Sequence, residues 1–151
     1  MKVVQLFLLL TSLTLLTNAQ NASEEVEVIK KVIQSAYVEG IQNEGDIEKI
    51  DAGIHPDFNL LGIGENGTIW KLPISEWKER VIKRKKEGKL PRTGDNLVSV
   101  KFLSVDVTGM AAVAKFEFYV GEELKYVDYI SLYKFSDNWK LVSKIYYQFE
   151  D

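Results

Sequence analysis

DYISLYKFSDNWKLVSKIYY, residues 128–147, is dense in aromatic and aliphatic residues. It reads as two long β-strands joined by a turn at Ser136-Asp137-Asn138. A strand buried on one side alternates cleanly between apolar and polar residues. Here Tyr129, Tyr133 and Phe135 fall on one face, and Tyr126, Ile130 and Leu132 fall on the other. Both faces of the hairpin therefore need cover. The chain's own helices supply it on one side. On the other, pairing with a second copy through the aromatic face is the economical solution.

Upstream, Glu24 and Glu25 follow Ser23, which reads as an N-cap with acids in the first turn. Val26, Ile29, Ile33, Tyr37 and Ile41 then form one apolar stripe. Gly45 closes this helix, and Asp46 caps a shorter one that ends at Gly53. Ile54 to Asp57 is a turn feeding a strand from Phe58 to Ile63. Asn66-Gly67 is the dipeptide of a type I′ turn, and the return strand carries Trp70. After Pro73, Ser75 reads as the cap of a third helix with the stripe Ile74, Trp77 and Val81. Four long strands follow, 97–107, 110–120, 124–135 and 138–149. In the first of them the apolar phase moves from Val98-Val100-Phe102 to Leu103-Val105-Val107. A one-residue phase change of that kind is the mark of a β-bulge, which bends a sheet. The order predicts an α+β layer structure, with three helices on the concave face of a curved antiparallel sheet of about six strands. Such a cone holds a cavity unless side chains fill it.

The first twenty residues stand apart. Lys2 precedes an apolar run from Leu6 to Leu16, and small residues occupy Thr17-Asn18-Ala19. That is the pattern of a cleaved signal peptide over residues 1–20, and the run is too short for a transmembrane anchor. The expected product is a secreted or periplasmic chain with one domain over 21–151, the usual domain size. It has no cysteine, so it must hold without disulfides and has no thiol chemistry. One histidine and no cysteine offer no transition-metal site, and no cofactor motif is present. The overall charge is −3, yet Lys78 to Arg92 carries eight basic residues against two acidic ones. The bland reading is a solvated helix face. The functional one is capture of an anionic ligand at a pocket rim. Nucleic acid is disfavoured, because the patch lacks interleaved aromatics.

Single residues narrow the chemistry. His55 could act as a general base, although its place before Pro56 suits a structural hydrogen bond better. Asp128 falls among apolar residues, where a charge is costly unless paired. It could meet a ligand or pair with Lys144 on the adjacent strand, and the pair is the better reading. Trp70, Trp77, Phe58, Phe102 and Tyr146 could line an aromatic pocket or simply form core.

The segment QNEGDIEKI (42–50), the HPDF turn (55–58) and the terminal hairpin resemble the nuclear transport factor 2-like superfamily. Within it they are most similar to bacterial proteins of the putative lumazine-binding family, over nearly the whole mature chain. The resemblance implies a cone-shaped α+β domain, often dimeric through its outer sheet face, with a pocket at the cone's mouth. Steroid isomerases of the superfamily use a tyrosine on the first helix, an aspartate base ending the first strand and an aspartic acid on a later strand. Tyr37 approximates the first, while Gly62 and Ser131 stand at the other two, so that chemistry is not expected. The expected function is non-catalytic binding of a small, partly apolar molecule by Tyr37, His55, Phe58, Trp70, Trp77, Phe102, Asp128 and Tyr146. Two alternatives stand beside it. One is an isomerase- or dehydratase-like enzyme using His55 or Asp128 for proton transfer. The other is an interaction module whose cone is plugged by its own side chains.

Overall fold

Ile29, Ile33, Tyr37 and Ile41 recur every four residues, and all four are buried. In an α-helix a four-residue step advances about 40° beyond a full turn, so such a stripe drifts around the axis. The first helix, α1, meets this by widening. Residues 23–32 are α-helical, and Ile33–Glu44 takes the i→i+5 hydrogen bonding of a π-helix, a form frequent at functional sites. These are the opening elements of a computed structural model that describes residues 23–150. The leader expected over residues 1–20 lies outside the described residues.

Gly45, at φ 67°, ends α1, and the Asp46 side chain accepts hydrogen bonds from the Glu48 and Lys49 amides to open α2, Ile47–Gly53. Strand β1, Ile54–Ile63, and β2, Ile69–Pro73, form a hairpin. Asn66 and Gly67 both have positive φ, as the dipeptide requires, inside a three-residue loop closed by Gly64 N–H donating to Thr68 O. Helix α3, Ile74–Lys86, then carries the chain to β3, Val98–Thr108. Strands β4 (Ala111–Val120), β5 (Glu123–Phe135) and β6 (Asn138–Gln148) return as a meander.

The sheet order is β2-β1-β6-β5-β4-β3. It is mostly antiparallel and α+β, as expected. The exception is β1 with β6, which pair in parallel because the meander brings its last strand back beside the first. Strand β1 also starts earlier than expected, at Ile54. The step from Ile54↔Leu141 to Asn59↔Ser143 leaves His55–Phe58 as a broad bulge, where Pro56 has no N–H for the ladder. The two expected serine caps are displaced. Ser23 is already helical, and Pro73 precedes α3, its fixed φ suiting a helix start.

Curvature comes from one-residue bulges. On β3 the register passes from Phe102↔Phe116 to Ser104↔Lys115, leaving Leu103 as the extra residue at the phase change. Lys125 plays the same part on β5 and Val142 on β6. The helices cover one sheet face, and the core packs between them around Trp139, Tyr37, Phe58 and Phe116. Glu25 on α1 accepts from both the Trp139 indole N–H and Lys134, which ties the start of that helix to the β5–β6 hairpin.

Helix α2 lies against α1 so closely that a Cβ on Gly53 would stand 2.4 Å from the Ala36 Cβ. Gly53→Ala should therefore destabilise the domain by about 1–3 kcal/mol through overpacking. Chemical denaturation of the single variant and of Gly53→Ala with Ala36→Gly tests this. Partial recovery in the double variant is expected.

Candidate functional site

Asp128 on β5 and Lys144 on β6 sit diagonally across the ladder, since Asp128 faces Tyr146 and Lys144 faces Ile130. The bulge at Val142 sets the orientation of Lys144. Before it, Trp139 and Leu141 are the buried residues; after it, the phase moves and Lys144 turns inward. Lys144 Nζ donates to Asp128 Oδ1 at 2.5 Å and to the Tyr37 hydroxyl at 2.9 Å. Tyr37 in turn donates to Asp128 Oδ2 at 2.8 Å. The three groups thus close a triangle across α1, β5 and β6. Asp128 is 0% exposed and Lys144 5%.

Burial, followed by the Asp128 charge, holds the Tyr37 hydroxyl well above its ordinary value, so it stays protonated and able to donate. Burial also pulls the Lys144 ammonium below its ordinary range, against the opposite pull of Asp128. Three tyrosine rings surround that ammonium. The centroids of Tyr146, Tyr37 and Tyr126 lie 5.0, 5.1 and 5.9 Å from Nζ, within cation–π range.

The triangle forms the floor of a cavity of about 420 Å³. Tyr37 and Lys144 reach into it from below, and Trp77, Phe118, Tyr126 and Tyr146 supply aromatic walls. Leu60 and Val120 add apolar surface, while Gln42, Arg92, Lys125 and Gln148 complete the lining. Among the described residues no carboxylate lines this space, because Asp128 is hidden behind Lys144. Its size falls in the range of small-molecule pockets, and its character is aromatic with a positive pole. The cone is therefore not plugged by its own side chains.

The residues read from the sequence distribute as follows. Tyr37, Trp77 and Tyr146 line the cavity, and Asp128 backs it. Phe58 is fully buried, its ring 6.2 Å from that of Trp77. Phe102 packs edge-on against Phe116. Trp70 lies over Gly62, where an added Cβ would stand 2.1 Å from the indole, and its ring is tilted 55° against that of Tyr146 without lining the cavity. His55 lies elsewhere. Its ring stacks on Phe135, whose position alternates with the buried Ile130 and Leu132 of β5 and so lies on the outer face, and Nδ1 accepts from the Asp57 amide. His55 and Asp128 thus have no common partner and no common cavity. Ser131 faces outward beside Tyr133, and the acid that meets Tyr37 is Asp128.

Several lining residues escaped the sequence reading. Tyr126 was within reach of it, being two residues before Asp128 and hence on the same strand face. Arg92 was legible only as the end of the basic run set at a pocket rim, because it stands in a loop with no periodicity to orient it.

Across residues 24–147 the chain matches the family described as Putative lumazine-binding. Among solved structures it is similar to an NTF2-like protein of unknown function from Shewanella baltica, with 19% identity and a TM-score of 0.65. That match covers 85% of this chain and 97% of the other. An NTF2-like protein of unknown function from Silicibacter pomeroyi is similar at 19% identity and a TM-score of 0.66, covering 84% and 98%. An NTF2-like protein from Cytophaga hutchinsonii is similar at 16% identity and 0.53, covering 82% and 97%. At these identities the likeness shows the fold. No curated protein matches the chain.

Removing one partner of a buried ion pair strands the other charge, at a cost of about 3–5 kcal/mol. Lys144→Met should lose stability on that scale, whereas Asp128→Asn with Lys144→Met should recover most of the loss. Urea denaturation of the two variants reads the difference. Equal losses would contradict the buried pair.

Proposed function

The chain belongs to the putative lumazine-binding family of NTF2-like proteins, and from that premise we propose that it binds a small, flat, partly apolar molecule without transforming it. One observation carries this reading. An ammonium group has three donors, and Lys144 commits two of them to Asp128 and Tyr37. The third is left for a hydrogen-bond acceptor on a ligand held between the aromatic walls. A planar ring fits the stacking surfaces of Trp77, Phe118 and Tyr126, and an acceptor or an anionic group suits the positive pole.

The non-catalytic part rests on the state of the candidate groups. Both Asp128 oxygens already accept hydrogen bonds, and the carboxylate is screened from the cavity by its cation. A general base must reach the proton it removes. His55, on the outer face, reaches nothing in the cavity.

The outer sheet face supports a second part of the proposal, a homodimer. Tyr133, Ile145 and Tyr147 are 53, 54 and 60% exposed, and Tyr129 and Phe135 join them in one apolar surface. Contiguous apolar exposure of this kind marks an interaction site, and a two-fold axis lets the same patch cover itself. Export completes the reading. The leader pattern at residues 1–20 supports a secreted or periplasmic domain.

Native mass spectrometry of protein purified from its own host tests these points together. We expect two subunits and a retained small molecule per subunit. The ligand should be absent from the Asp128→Asn, Lys144→Met double variant, and Tyr147→Glu should yield single subunits. A ligand-free protein whose tryptophan fluorescence also stays unchanged on titration with lumazine and other flat heterocycles would contradict the binding role.

A further inference from the structure

Beside the aromatic cavity lies a second depression of about 420 Å³, between the C-terminal end of α3 and the loop that follows it. Arg84, Lys89 and Arg92 line it together with Gly88, Thr93 and Asn96, and no carboxylate is among its lining residues. Arg92 belongs to both spaces, lining the cavity as well as the depression. We propose that Arg84 and Arg92 clamp a phosphate- or sulfate-class oxyanion in this depression.

The state of the two guanidinium groups carries the inference. Arg92 Nε is buried and has no hydrogen-bond partner among the described residues. Its NH1 donates to the Asn96 carbonyl at 3.2 Å, and its backbone amide donates to the Asn43 carbonyl, so the loop is fixed while the buried Nε is unpaired. A buried N–H without a partner is costly, and it leaves this guanidinium short of acceptors within the described residues. Among the described residues Arg84 makes no ion pair, although four of its basic neighbours do. Lys78 pairs with Asp51, Arg80 with Glu76, and Lys83 and Lys89 both with Glu87. Instead Arg84 faces a like charge, for burial and the Arg92 charge both weaken its hold on its proton. Two half-buried guanidinium groups facing one space without a counter-charge repel each other. A tetrahedral dianion between them reverses the sign of that interaction, and the planar forks suit its oxygens.

Glu87, which precedes Gly88 in sequence, is engaged by Lys89 at 2.7 Å and does not line the depression. This explains which part of the basic run from Lys78 to Arg92 goes beyond a solvated helix face. The site stands beside the cavity reading and does not rest on it, because an oxyanion can be measured with the cavity empty. The anion could be free, or it could be the charged arm of a ligand whose ring lies in the cavity, with Arg92 as the shared contact.

Scanning calorimetry of the mature protein tests the assignment, with inorganic phosphate or sulfate titrated against chloride at constant ionic strength. The wild-type Tm should rise saturably, as expected for a ligand that binds only the folded state. Arg84→Gln should weaken the apparent affinity at least about tenfold, the loss expected for a charge-assisted contact. Lys83→Gln, which removes an equal charge from the exposed face of the same helix, should leave the affinity unchanged. Without oxyanion, at low salt, Arg84→Gln should melt no lower than wild type, since it relieves repulsion. Phenyl phosphate separates the two sources. Tighter binding than inorganic phosphate assigns the site to an arm of the cavity ligand, and equal binding assigns it to a free oxyanion. A wild-type Tm that does not saturate, or equal responses in Arg84→Gln and Lys83→Gln, would overturn the proposal.

Discussion

The buried ion pair between Asp128 and Lys144, closed by Tyr37, holds the first helix and the sheet at one fixed spacing. A carboxylate and an ammonium this deeply buried are tolerable only when their lone pairs and protons are satisfied. Here one tyrosine hydroxyl does so by accepting from the cation and donating to the anion. Tyr37 comes from α1, Asp128 from β5 and Lys144 from β6, so the triangle fixes the depth at which the helix lies in the cone. An apolar contact could slide along the sheet. A three-way hydrogen-bonded charge pair cannot do so without stranding a charge, and this gives the cavity floor a defined position.

Sheet curvature supplies the space above that floor. The extra residues Leu103, Lys125 and Val142 each bend one strand, and the last also changes which residues face inward. Without the shift at Val142, the inward phase set by Trp139 and Leu141 would carry Lys144 to the solvent side of β6. The bend and the cation therefore share one cause. On the helix side, the π-helical segment keeps Tyr37 on the same face as Ile33 and Ile41, which brings its hydroxyl over the pair.

The layer architecture could be read from local pattern wherever the pattern was clean. The β3 bulge showed as a phase change because Val98-Val100-Phe102 and Leu103-Val105-Val107 are both unbroken apolar series. The β6 bulge was hidden, because Val142-Ser143-Lys144 mixes polarities and gives no phase to follow. Pairing of Asp128 with Lys144 was legible from the cost of an acid among apolar neighbours. Its third member was not, since Tyr37 lies 91 residues away in sequence from Asp128. The parallel contact of β1 with β6 left no local trace either, being a product of where the meander ends. Among the site candidates, aromatic composition named Trp70 and Phe102 together with Trp77 and Tyr146, but it could not say which rings face the cavity. His55 sits in a bulge, where neither helical nor strand periodicity predicts direction, and only its stacking on Phe135 locates it.

A double-mutant cycle between Tyr37→Phe and Lys144→Met measures most directly whether the three groups act as one unit. Residues sharing a hydrogen-bond network show coupling of about 0.5–3 kcal/mol, while independent sites add. This structure predicts a coupling free energy above about 1 kcal/mol from equilibrium unfolding of the four proteins. Strictly additive losses would mean that tyrosine and lysine do not meet, and that the cavity has no fixed polar floor.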